Sequence, residues 1–207
     1  MKNSILSNKF TYLGGFIVIF AMLALLFGMI IHKNTQLQQT KEALNRHKRL
    51  FKIAADMKQT RIEHITNVTK KLLILQPKLA KGNLAEWYAE IITTYCGADI
   101  ENIFIAILFG ESSFDHTKVN KSGDYGIGQI NYKIWGNFFE VTQKELLNPI
   151  INIQIAFTIL QMAQISHGTK NDWYGYYHSW NHISRKKYVK KIDRILKLIN
   201  GVEEDGE

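Results

Sequence analysis

Sulfur and metal chemistry have little to work with in this chain. Its 207 residues include one cysteine, Cys96, so no intramolecular disulfide can form. The neighbours Ile91, Ile92 and Tyr95 predict a buried structural thiol there, with a nucleophile the weaker alternative. The seven histidines are scattered, and no cluster has metal-ligand spacing, so neither a metal nor any other cofactor is expected. A phosphate-binding loop and internal repeats are also missing.

Acidic residues are scarce in the first part of the chain. Residues 1–83 hold 14 Lys and Arg against 3 Asp and Glu, a net +11. Residues 84–207 hold 12 against 15, a net −3, and the two parts account for the overall +8. A nucleic-acid binder needs a basic folded domain or an aromatic–basic platform, and neither is present. A basic N-terminal segment suits anionic lipid or acidic wall polymers better.

Residues 10–31 contain no charged side chain. Twenty-two helical residues at ~1.5 Å each match the ~30 Å hydrocarbon core of a bilayer. No small-x-small cleavage site follows, and no cysteine lies nearby for lipid attachment. The segment therefore reads as an uncleaved single-pass anchor behind a short cytoplasmic tail, residues 1–9. Lys2 and Lys9 precede it, whereas Lys33, Lys41, Arg46, Lys48 and Arg49 follow. That balance, taken alone, favours a cytoplasmic C-terminal flank. The expected orientation is nevertheless the opposite, with the N-terminus inside and the C-terminal domain outside, since long C-terminal domains translocate despite flanking charge.

Residues 32–83 read as a polar helical stalk, either one long helix or two broken near Pro77. Leu37, Leu44, Phe51, Lys58, Ile65, Leu72 and Leu79 recur every seven positions. The companion seam, at Thr40, His47, Ala54, Arg61, Val68, Leu75 and Gly82, is poor, and a coiled coil requires both. A weakly self-associating amphipathic helix and a solvated spacer both fit. Either reaches about 60–70 Å as a helix.

Residues 84–200 read as a mainly α domain. Residues 84–92 have helical apolar spacing. Asp99 is placed to cap the helix that runs into Glu111, and Asn148-Pro149 forms a cap with proline at the first helical position. The helix after Pro149 is apolar enough to be the core. A last helix, expected from about Ser184 to before Gly201, buries Tyr188, Val189, Ile192, Ile195 and Leu198 and exposes Lys186, Lys187, Lys190, Lys191 and Arg194. Residues 201–207 form an acidic tail of the kind that stays unstructured.

The chemistry concentrates after the apolar run 103–110, which ends in Glu111-Ser112-Ser113-Phe114. A carboxyl at the end of an apolar helix is partly desolvated, which disfavours its charged form and raises its pKa. Such a group can donate a proton near neutral pH. Fourteen residues after Glu111 come Tyr125-Gly126-Ile127-Gly128-Gln129-Ile130-Asn131, then Asn148-Pro149-Ile150-Ile151-Asn152-Ile153, then Tyr177-His178-Ser179.

These four segments, in this order, resemble the soluble lytic transglycosylases, a family with a lysozyme-like fold. The resemblance spans residues 84–200 and implies cleavage of the peptidoglycan bond between N-acetylmuramic acid and N-acetylglucosamine, with closure of a 1,6-anhydro ring. It implies Glu111 as the catalytic acid and base, and Ser112, Asn120, Gly126, Gln129, Asn131 and Tyr177 as residues that contact substrate. The family has methionine where Gly128 stands, so a side chain is missing there from the expected cleft wall. The string from Asp124 to Asn131 is also similar to animal lysozymes, in which the aspartate at this place is a second carboxylate. Those secreted enzymes rely on several disulfides, which this chain cannot form. A retaining hydrolase using Glu111 and Asp124, with carboxyls about 5–5.5 Å apart, remains one alternative. A non-catalytic wall-binding scaffold is another. Trp173, Tyr174, Tyr176 and Trp180 suit either sugar stacking or core packing. A wall substrate requires the domain to lie outside the inner membrane, and an anchored enzyme suits a machine for secretion, conjugation or phage penetration.

Overall fold

The structure is a computed structural model that describes residues 2–201, with side chains from residue 22 onward. The tail at 1–9, the first twelve side chains of the expected anchor and the acidic residues 202–207 lie outside the described side chains. The chain divides into two compact units, residues 1–59 and residues 60–207.

The first unit is helical throughout its described length and belongs to α1 (Lys2–Leu75). Its described apolar side chains, Phe27, Ile30, Leu44 and Phe51 among them, are exposed.

The second unit takes in the end of α1 from residue 60. A domain starting at residue 84 therefore misses part of the core: Val68, Leu72, Leu75 and Leu79 are buried in it. The seven-residue pattern changes environment along its length. Leu37 and Leu44 are each 53% exposed, whereas Leu72 is fully buried. The break near Pro77 is present. Gln76 leaves the helical region, with φ −144° and ψ 85°, because the proline ring crowds the residue before it. A short 3-10 segment, Pro77–Asn83, leads into α2 (Leu84–Tyr95) and then α3 (Glu101–Ser112).

A buried ionic cluster ties the end of α1 to the start of α3. Glu101 is 4% exposed; His64 Nε2 lies 2.6 Å from one of its carboxylate oxygens and Lys71 Nζ 3.6 Å from the other. Lys71 also donates to Asn102 Oδ1 at 2.8 Å. The acidic side chain sits in the first turn of α3, where the helix dipole favours it. Asp99 is not the cap: the N-cap position falls on Ile100, which leaves Asp99 one residue too early to reach the first free amides.

Beyond α3, a two-stranded antiparallel ribbon pairs β1 (Asp124–Tyr125) with β2 (Ile130–Asn131), Asp124 opposite Asn131. One helical turn, α4 (Tyr132–Trp135), is capped by the Asn131 side chain, which accepts from the Ile134 amide. The core helix α5 (Pro149–His167) starts at the expected Asn148 cap and Pro149. Among the described residues, α5 is the one helix long and apolar enough to cross a membrane, but half of it is buried inside this unit. The last helix, α6 (His182–Asn200), begins two residues before the expected start, because Asn181 accepts from the Ile183 and Ser184 amides. Tyr188, Ile192 and Ile195 face inward as expected, whereas Leu198 is exposed and Ile199 takes the buried place. Cys96 is buried as expected, and burial, aided by the Glu101 and Asp99 charges, pushes its thiol up to about 12, which keeps it protonated and unreactive.

All four tryptophans lie between residues 87 and 180, so their fluorescence reports on the second unit. Leu72→Ala is expected to destabilise that unit by about 2–5 kcal/mol in a urea titration of the full chain. Leu44→Ala, at the same register of the seven-residue pattern, is expected to change it by less than about 0.5 kcal/mol. Equal effects would contradict the assignment of residues 60–83 to the domain.

Candidate active site

Glu111 occupies the last turn of α3, and its side chain is 14% exposed. It faces a cavity of about 480 Å³ that also admits Asp124, Gln129, Trp135, Tyr177 and His178. Burial is the main influence on the carboxyl and raises its pKa above the ordinary glutamate value. The Tyr188 hydroxyl, His178 and Lys191 pull it back, and the Asp124 charge adds to the rise. His178 Nδ1 stands 3.9 Å from Glu111 Oε1, and its ring stacks on Tyr188 at 4.6 Å between centroids. The Tyr188 hydroxyl is near enough to act on the carboxyl but is not placed to bond it: neither Glu111 Oε1 nor that hydroxyl has a hydrogen-bond partner. A buried, unpartnered carboxyl oxygen is unfavourable for stability, and it is also what a group kept ready for an incoming proton acceptor looks like.

Polar anchors behind the cavity hold the segment 125–129 against α3 and α5. Asn152, fully buried on α5, accepts from the Gly128 amide at 2.7 Å and donates to the Tyr125 and Leu146 carbonyls at 2.8 and 2.7 Å. Ser112 donates to the Ile127 carbonyl at 2.7 Å. Tyr177 donates to the Gly128 carbonyl at 2.8 Å, and burial, followed by the Glu111 and Asp124 charges, keeps its hydroxyl protonated.

The structure sorts the residues expected to contact substrate into two groups. Asn120, Gln129, Asn131 and Tyr177 line the cavity together with Glu111 and Asp124. Ser112 and Gly126 do not. Ser112 is buried and its hydroxyl is engaged with the backbone. A side chain at Gly126 would strike the Leu146 carbonyl at 2.3 Å. Both hold the wall of the cavity from behind. Gly128 has the same character. A Cβ there would lie 2.7 Å from the Ala156 Cβ and 2.9 Å from the Tyr177 hydroxyl, so the glycine makes room for Ala156 and the Tyr177 hydroxyl instead of leaving a gap in the cleft.

Asp124 is tied down at both oxygens. Asn131 Nδ2 donates to Oδ1 at 2.6 Å and Asn120 Nδ2 to Oδ2 at 2.5 Å. Asn120 Oδ1 in turn accepts from the Asp124 and Ser122 amides. Gln129 adopts a left-handed backbone, φ 48°, and its amide nitrogen donates to the Lys118 and Gly126 carbonyls. These polar side chains build the ribbon and line the cavity at once.

The aromatic residues of the 173–180 segment are not on the cavity wall, except for Tyr177. Tyr174 is buried and donates to Asp193. Tyr176 stacks on His167 at 3.7 Å and carries the Arg185 guanidinium 4.1 Å from its ring centre. Trp180 is exposed. The aromatic wall of the cavity comes from α4 instead: Trp135, braced by Phe138 and Phe139. Sequence reasoning also passed over Lys118, Tyr188 and Lys191 as site residues. The signal for the last two was their spacing, three residues apart on one face of α6.

The raised pKa of Glu111 has a consequence for stability. A carboxyl whose folded pKa lies above its unfolded value contributes fully below the unfolded value, about 4.3, and that contribution is lost as pH rises through the folded pKa. Glu111→Gln is therefore expected to be more stable than wild type above the folded pKa, with the advantage shrinking towards pH ~4. Thermal unfolding of both chains across this range tests it, and a difference independent of pH would contradict the buried-carboxyl account.

No curated protein and no solved structure matches the chain significantly. A family model does, over residues 95–194, a span that contains Glu111, the ribbon, Asn152, Tyr177 and most of α6. That model is described as the transglycosylase SLT domain, so this chain carries a domain of the SLT transglycosylase family within the lysozyme-like superfamily.

Proposed function

We propose that the chain is a membrane-anchored murein lytic transglycosylase that cleaves the β-1,4 bond between N-acetylmuramic acid and N-acetylglucosamine. The family match implies lytic transglycosylase activity on peptidoglycan; the bond, the mechanism and the anchoring are the proposal. Glu111 protonates the glycosidic oxygen as the bond from C1 to that oxygen breaks. The same carboxylate then takes the proton of the C6 hydroxyl as its oxygen bonds to C1. The 1,6-anhydro ring closes, the enzyme returns to its starting protonation state, and no water is consumed. One carboxyl serves both steps because the conjugate base of the acid is already in place. The observation that carries this reading is the buried Glu111 oxygen with no hydrogen-bond partner, on the wall of the cavity. Asn120, Gln129, Asn131 and Tyr177 stand where they can meet the sugar.

Asp124 lines the same cavity, which favours a second reading, a retaining hydrolase with Glu111 as acid and Asp124 as the second carboxylate. Its two amide partners support a structural part in the ribbon instead. Release of soluble fragments from purified peptidoglycan by the full chain separates these readings. Glu111→Gln is expected to lose about 10²-fold or more in rate while staying folded. Asp124→Asn is expected to keep most of the activity, and a loss as deep as that of Glu111→Gln would favour the hydrolase. A folded wild-type chain that releases nothing would favour a binding scaffold.

We further infer that residues 10–31 anchor the chain in the inner membrane, with the N-terminus inside and the domain on the wall side, serving a secretion, conjugation or phage-penetration machine. The uncharged run and the exposed apolar side chains from Met22 to Ile31 support the anchor, since such a surface is unfavourable in water. The full chain is expected to stay in the membrane pellet after an alkaline carbonate wash. Its release into the supernatant would contradict the anchor.

A further inference from the structure

The last carbonyls of a helix have no donor within the helix. At the end of α3, two lysines from separate parts of the chain supply donors. Lys118, in the loop before β1, donates from Nζ to the Glu111 carbonyl at 2.5 Å. Lys191, on α6, donates from Nζ to the Gly110 carbonyl. Both line the cavity that the Glu111 carboxyl faces. Gly110 permits the second contact. A Cβ there would come within 3.0 Å of Ile192 Cδ1 and 3.6 Å of Lys191 Cε, so the bare helix edge lets α6 pack closely and brings Lys191 to the end of α3.

The position would otherwise be a poor one for a carboxylate. A helix C-terminus is the negative end of the backbone dipole, Glu111 is largely buried, and Asp124 adds a like charge. Each of these influences favours the protonated carboxyl. Burial keeps the Tyr177 and Tyr188 hydroxyls protonated and so uncharged; the Tyr188 hydroxyl favours the ionised carboxyl without supplying a positive charge. His178 stands at one side, 3.9 Å from Glu111 Oε1, but its ring is held by stacking on Tyr188 and not by the helix end.

We propose that Lys118 and Lys191 are positioning residues of the reaction: they cap the end of α3 and fix two positive charges beside Glu111, so that one carboxyl can both release and recover a proton. The proposal rests on the reading of Glu111 as acid and base. The lysines touch the backbone of the reacting residue and act through it, by electrostatics and by fixing the last helical turn.

The test uses the full chain with Lys118 and Lys191 both changed to Met, and a second variant with both changed to Arg. The ¹³C carboxyl resonance of Glu111, assigned by its loss in Glu111→Gln, is followed against pH. The Met pair is expected to raise the Glu111 midpoint and to carry the high-pH limb of the kcat/KM profile upward with it, since the acid form then survives to higher pH. The Arg pair is expected to stay close to wild type. A Glu111 midpoint unmoved in the Met pair, or moved equally in both pairs, overturns the proposal. Should the Met pair fail to fold, Lys191→Met alone carries the same two readouts, and an unmoved midpoint there overturns it. The titration needs no turnover, so it stands apart from the peptidoglycan reading, which fails separately if Glu111→Gln retains full activity.

Discussion

The Asn152 amide is the interaction on which the geometry of the site depends. It lies fully buried on the core helix α5 and makes three hydrogen bonds to backbone, reaching the carbonyls of Tyr125 and Leu146 and the amide of Gly128. A buried amide is unfavourable unless it is satisfied, so its bonds leave few alternatives for the segment between the two short strands. With that segment fixed, Ser112 can close on the Ile127 carbonyl and Tyr177 on the Gly128 carbonyl. Small residues are demanded at Gly126 and Gly128 by the same crowding. The cavity wall is thus set by polar contacts behind it and not by the side chains a substrate would meet.

Glu111 sits at the focus of this arrangement under opposed influences. Burial and Asp124 favour the protonated carboxyl, while Tyr188, His178 and Lys191 favour the ionised one. A carboxyl in such a balance is a costly feature for stability and a useful one for proton transfer. Asp124, by contrast, has both oxygens engaged by asparagine amides. Two carboxyls in one cavity therefore have different surroundings, and different surroundings assign different parts to them in the proposed chemistry.

Much of this was legible in the sequence because it depends on local pattern. The end of the apolar run located Glu111, Asn148-Pro149 located the start of α5, and the proline at 77 located the break after α1. Long-range packing was less legible. Leu72 and Leu79 share a seven-residue spacing with Leu37 and Leu44, and only the fold decides which of them meets a core. Lys191 reads as part of a solvated basic face until α6 is seen to pass the bare edge of α3 at Gly110. Ser112 and Gly126 sit within the motifs, yet they hold the wall from behind, because a motif marks which residues are required and not which way they point. Trp135 was missed since its helix is a single turn, too short for a periodic signal.

The central claim is that one carboxyl performs both proton transfers and that the muramic C6 hydroxyl, not water, closes the reaction. The most direct test is digestion of purified peptidoglycan by the full chain in ¹⁸O-labelled water, followed by mass spectrometry of the fragments. The account predicts 1,6-anhydromuramic ends that carry no ¹⁸O. Reducing muramic ends with one ¹⁸O incorporated would contradict it and would place water in the second step.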